Sequence, residues 1–108
     1  MIIPATVLTV LAVLLPIVSA LCAGGVLRRN HLVGIRFPAL QASDAAWTAG
    51  HRAAILPSTV LAVLAVVLLV LSYAVPALAL WGSILTMLVA IAGFAWGILA
   101  ALRAARAA

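Results

Sequence analysis

The sequence predicts an all-α integral membrane protein with three transmembrane helices, and with a short polar loop carrying its own short helix between the first two. Three observations lead there. Of the 108 residues, 69% are hydrophobic and 6% charged, and the mean hydropathy is +1.46, a composition outside the soluble globular range. A helix needs about 20 apolar residues to cross a hydrocarbon core of about 30 Å, and three such runs plus one polar segment nearly use up the chain. Finally, every basic side chain is an arginine placed beside an apolar run, which is how charge is distributed around a membrane.

The first span is expected over residues 2–27. Pro4, Thr6, Thr9, Pro16 and Ser19 interrupt its apolar character, and all are tolerable in lipid. Pro16 has no N–H to offer the carbonyl of Ala12, which predicts a bend in mid-membrane. The Gly24–Gly25 pair loosens the end of the span. Cys22 is the lone cysteine, so a single chain builds neither a disulfide nor a cysteine metal site, and a buried, inert thiol is expected. Leu21 is too bulky to precede a lipid-modified cysteine, and no basic residue precedes the apolar run, so the segment reads as a retained span and not as a signal.

Residues 28–56 form the polar loop and hold most of the chemical variety of the chain. Ser43 or Asp44 is expected to cap a short helix carrying Ala45, Ala46 and Trp47. On that helix Asp44, Trp47 or Thr48, and His51 share one face. The second span is expected over 57–75, beginning near Pro57 because proline suits a first helical turn. Pro76 then reverses the chain, the third span covers 78–102, and residues 103–108 are a short tail. Residues 6–13 resemble 59–66, a match of the kind that Leu/Val/Ala composition produces readily.

Arg28, Arg29, Arg36 and Arg52 all fall in the first loop, and neither the N-terminus nor the second loop has an arginine. The positive-inside rule therefore makes the first loop cytoplasmic, the N-terminus outside and the C-terminus cytoplasmic with Arg103 and Arg106. One threading satisfies all six charges. The expected location is the bacterial cytoplasmic (inner) membrane, and the abundance of alanine and the use of arginine without lysine point to a high-GC bacterium.

The net charge of +5 does not indicate nucleic acid binding, because no separate basic stripe with interleaved aromatics exists. Anionic lipid headgroups are the expected partners of Arg28, Arg29, Arg103 and Arg106. Catalysis is not expected: Asp44, His31, His51, Cys22, Tyr73 and the arginines supply no paired carboxylates and no nucleophile with a base. No cofactor and no metal are implied, and His31 and His51 read as ordinary interfacial polar residues. The spans contain no charged side chain in their interiors, which argues against autonomous transport. Arg36, between Gly34-Ile35 and Phe37-Pro38, is placed to fasten the loop or to meet a lipid phosphate. Gly93 and Gly97, continued by Ala101 and Ala105, form a small-residue stripe that serves either association with another membrane protein or packing within the chain. Trp81 suits the outer interface, and Trp96 lies deeper.

The ordered set Asn30, Gly34, Ile35, Arg36 and Pro38, followed by Ser43, Asp44, Trp47, His51 and Arg52, resembles the loop signature of the SdpI family of small bacterial membrane proteins. Phe37 stands where that family usually has threonine, and Leu40 where a polar residue is common. The chain also looks shorter than the longer members, which carry additional membrane helices. The resemblance implies a non-enzymatic membrane protein whose loop is the recognition element. For the best-known member it implies immunity to a toxic peptide, with sequestration of a transcriptional repressor. The competing expectation is a small accessory subunit of a larger membrane complex, such as a transporter or respiratory assembly, docked through the Gly93/Gly97 stripe.

Overall fold

A computed structural model of the chain describes residues 1–30 and 32–108. His31, expected to be an interfacial polar group, lies outside the described residues. Among the described residues four helices follow in order: α1 (Ile2–Ala23), the one-turn α2 (Pro38–Gln41), α3 (Asp44–Ala74) and α4 (Ala79–Ala107), with a 3-10 turn (Pro76–Leu78) between the last two. No strand occurs among the described residues. Three of the helices are long and apolar enough to cross a membrane. The molecule is a rod of 49 × 21 × 17 Å, longer than the hydrocarbon core of about 30 Å, so its ends stand in the headgroup regions.

The first span ends at Ala23 and not at residue 27. Gly25 takes a φ of +82°, a left-handed conformation that glycine adopts without a Cβ penalty. The amides of Val26 and Leu27 then turn back onto the carbonyl of Leu21 at 3.0 and 3.1 Å, satisfying a helix end that would otherwise be orphaned. Within α1 the helix is continuous through Pro16.

The short loop helix and the second span, expected as separate elements, are one helix of 31 residues. Its start is the expected one: the Ser43 side chain accepts from the Ala46 amide at 3.0 Å, and Asp44 occupies the first turn, where a negative charge complements the helix dipole. Pro57 lies buried inside the helix. It removes one backbone bond, and the chain accepts this where packing against neighbouring helices holds the turn. Ser58, next to it, returns its hydroxyl to the Ala54 carbonyl. Pro76 does break the chain. The preceding Val75 is extended, at φ −115° and ψ 103°, the conformation a following proline imposes, and the 3-10 turn starts α4.

Packing within the bundle places small residues inside and large apolar ones outside. The buried face of α4 reads Ser83, Thr86, Ala90, Gly93, Gly97, Ala101 and Ala105, spaced three or four apart on one stripe. Ala54, Ser58, Ala62, Ala65 and Ser72 are buried on α3, and Ala5, Thr9, Ala12, Ser19 and Cys22 on α1. Val, Leu and Ile side chains such as Ile3, Val63, Val70 and Leu88 are more than half exposed. A water-soluble bundle buries those residues first, and lipid reverses the preference because close backbone approach, and not apolar transfer, drives association there. Apart from Ser19, whose buried Oγ has no partner among the described residues, hydroxyls on the inner faces bond carbonyls four residues back, as Thr9 does to Ala5 at 2.8 Å and Thr86 to Gly82 at 2.7 Å.

The Gly93/Gly97 stripe packs within the chain. A Cβ on Gly93 would sit 3.0 Å from Leu61 Cβ, and one on Gly97 would sit 3.2 Å from Leu15 and 3.3 Å from Ser58. Helix α4 lies mainly on α3, and α1 touches α4 least of the three long pairs. With α3 leaving the polar loop and α4 returning to it, all six arginines gather at one end of the rod, while Thr6 and Tyr73 hydrogen-bond at the other at 2.8 Å.

Candidate functional site

The loop between α1 and α3 is knotted locally before it is clamped to the bundle. Asn30 Oδ1 accepts from the amides of Leu32 and Val33, both at 2.8 Å, and its Nδ2 donates to the Arg28 carbonyl at 2.6 Å. Short polar side chains that bond neighbouring backbone in this way stabilise turns. Gln41 Nε2 donates to the Asn30 carbonyl at 2.9 Å. Arg29 donates to the Gln41 carbonyl at 3.1 Å and pairs with Asp44 at 3.4 Å. Phe37 and Pro38 start α2, with proline in the position that suits its fixed φ.

The clamp consists of Gly34, Ile35, Trp47 and His51. Trp47 is 2% exposed and His51 0%, on successive turns of α3, with ring centroids 4.2 Å apart. Trp47 Nε1 donates to the Leu27 carbonyl at 3.1 Å. His51 Nε2 accepts from the Ile35 amide at 2.9 Å. An accepting Nε2 places the proton of the neutral ring on Nδ1, which donates to the Trp47 carbonyl at 2.7 Å. Both ring nitrogens are therefore occupied by backbone. Gly34 has a φ of +111°, and a Cβ there would lie 2.7 Å from the Trp47 ring and 3.1 Å from His51 Nε2.

Three contributors were not identified from the sequence. Gly50 lets α2 close on the bundle: a Cβ there would lie 2.7 Å from Leu40 and 3.1 Å from the Ala101 carbonyl. Leu40, the apolar substitute at a position often polar in the family pattern, is fully buried in a cluster with Cys22, Ile35, Ala54 and Ala101. The Leu27 carbonyl is a backbone acceptor, and side-chain identity does not announce it. A glycine beside a histidine in a helix-forming stretch was the one available hint.

The motif residues thus divide. Gly34, Ile35, Trp47 and His51 face inward, whereas Arg36, Phe37, Pro38, Asp44 and Arg52 are exposed. Arg36 and Phe37 form the rim of a crevice of about 730 Å³ between α1 and α4. Its apolar walls include Leu11, Leu14 and Val18 of α1 and Phe94 and Ile98 of α4. Among the described residues, no three His, Cys, Asp or Glu side chains converge as metal ligands.

A family model described as the SdpI/YfhL protein family matches residues 26–101, which takes in the loop from Val26 onward, α3 and most of α4. No curated protein and no solved structure matches the chain.

Proposed function

The chain belongs to the SdpI/YfhL protein family, and on that premise we propose that it is a non-catalytic recognition protein of a bacterial inner membrane, protecting the cell against a toxic peptide or signalling its presence. The observation that carries this reading is the division of the loop motif. Its buried half holds the loop rigidly on α3, and rigid support is what an exposed recognition edge requires. Its exposed half sets a cation and an aromatic ring, Arg36 and Phe37, at the rim of an open apolar crevice. Arginine and aromatic side chains are the usual anchors of binding surfaces. The arginine distribution supports a cytoplasmic loop, an external N-terminus and a cytoplasmic C-terminus.

The test is survival of a deletion strain challenged with membrane-active toxic peptides. Wild-type protein should restore resistance. Arg36→Ala and Phe37→Ala should not, although both accumulate in the membrane. A deletion strain as resistant as its parent to every peptide would end the protective reading. For the accessory-subunit alternative, the contacts of Gly93 with Leu61 and of Gly97 with Leu15 and Ser58 favour the stripe as packing within the chain over a docking surface. Recovery of a large membrane complex in stoichiometric amounts with the tagged chain would favour that alternative on another surface.

A further inference from the structure

The crevice below Arg36 has the chemistry of a lipid site. Its walls are apolar over the stretch from Val18 to Leu11, two turns of α1 and about 10 Å along the helix axis. Its polar end is built from Arg36 and Gln41 of the loop. An occupant that satisfies both ends carries an anionic group joined to a hydrocarbon chain. The crevice lies between α1 and α4, the least closely packed of the three long pairs, and exposed apolar side chains such as Leu11 and Leu14 stand along it, so a molecule already in the bilayer can enter it sideways. Its volume of about 730 Å³ falls within the range of about 300–1,000 Å³ of ordinary small-molecule sites.

Charge selects among lipids. The net charge is +5 and all six arginines lie at this end of the rod. The single acidic residue, Asp44, is paired with Arg29 and does not line the crevice. A planar guanidinium donates two parallel hydrogen bonds to a phosphate, and a zwitterionic headgroup would bring its own cation into a field already positive. We propose that the crevice binds one anionic phospholipid from the loop-side leaflet, its phosphate at Arg36 and one acyl chain laid between Leu14 and Val18 of α1 and Phe94 and Ile98 of α4. This inference does not rest on the protective role, because it concerns the purified protein alone.

Native mass spectrometry of the full chain in mild detergent, titrated with phosphatidylglycerol or phosphatidylcholine, tests it. One phosphatidylglycerol should be retained per chain in preference to phosphatidylcholine. Arg36→Gln should weaken that binding by about tenfold or more, the loss of one charge-assisted contact. Leu14→Trp, which fills the crevice without touching the charge, should also displace the lipid. The Arg103→Gln, Arg106→Gln double variant should retain it. Equal binding of the two lipids, unchanged affinity in both crevice variants, or an equal loss in the tail double variant would overturn the proposal. So would displacement of the lipid by inorganic phosphate at matching concentration, which would assign the rim to a free anion.

Discussion

At Gly34 two independent constraints meet: a backbone at φ +111° and a Trp47 ring 2.7 Å from where a Cβ would stand. Gly34→Ala is therefore expected to cost about 1–3 kcal/mol and to detach the loop from α3, seen as a red shift of tryptophan emission while the helical content holds. His51→Ala should leave the Ile35 amide buried without an acceptor, at a cost of about 1–3 kcal/mol. Hydrogen exchange at that amide should accelerate by about tenfold or more. An unchanged exchange rate would show that the ring does not hold the loop. At this scale the sequence named the motif positions but not their division into clamp and rim. Trp47 and Phe37 are both aromatic loop residues, and only the three-dimensional path places one against the Leu27 carbonyl and leaves the other exposed. Leu40 and Gly50 were legible to neither motif nor periodicity, because each acquires its meaning from the other.

The elements were read best where local chemistry and the bilayer agree. Ser43 as a cap, Pro76 as a breaker and the three apolar runs all follow from rules that act within a few residues. Two boundaries moved because those rules compete with packing. Pro57 suits a helix start, yet α3 continues through it without a break; Leu27 continues an apolar run, yet Gly25 ends the helix before it. Ser43→Ala should destabilise the loop end of α3 by about 0.5–2 kcal/mol, lowering the thermal midpoint in detergent. Gly97→Leu should do more damage. With Leu15 and Ser58 at 3.2 and 3.3 Å from the added Cβ, overpacking of at least about 1–3 kcal/mol is expected, and the variant should lose thermal stability even when purified free of any partner. If Gly97→Leu were as stable as wild type and merely lost a co-purifying protein, the stripe would be an association surface after all.

At the scale of the whole molecule, the loop and the C-terminus lie at the same end of the rod, and the turn between α3 and α4 lies at the other. In a Cys22→Ala background, cysteines introduced at Ala42 and Ala108 should react with an impermeant thiol reagent from the same side of a sealed vesicle, and one at Ala77 from the opposite side. Labelling of Ala42→Cys and Ala108→Cys from opposite faces would break the three-span threading. The three apolar helices were the most legible property of the sequence, since hydropathy is summed over many residues. The crevice was the least legible, since its walls come from α1, the loop and α4, which are far apart in sequence.

The gathering of every arginine at one end has an energetic meaning beyond topology. Carrying one elementary charge across a membrane costs about 2.3 kcal/mol for each 100 mV it opposes, and here six guanidinium groups would have to make the crossing together. A copy inserted the wrong way round would sit against the full membrane voltage multiplied by all six charges. An energised membrane therefore favours the sense that keeps these charges on its negative side, and copies so inserted would lie parallel, with every crevice facing the same leaflet.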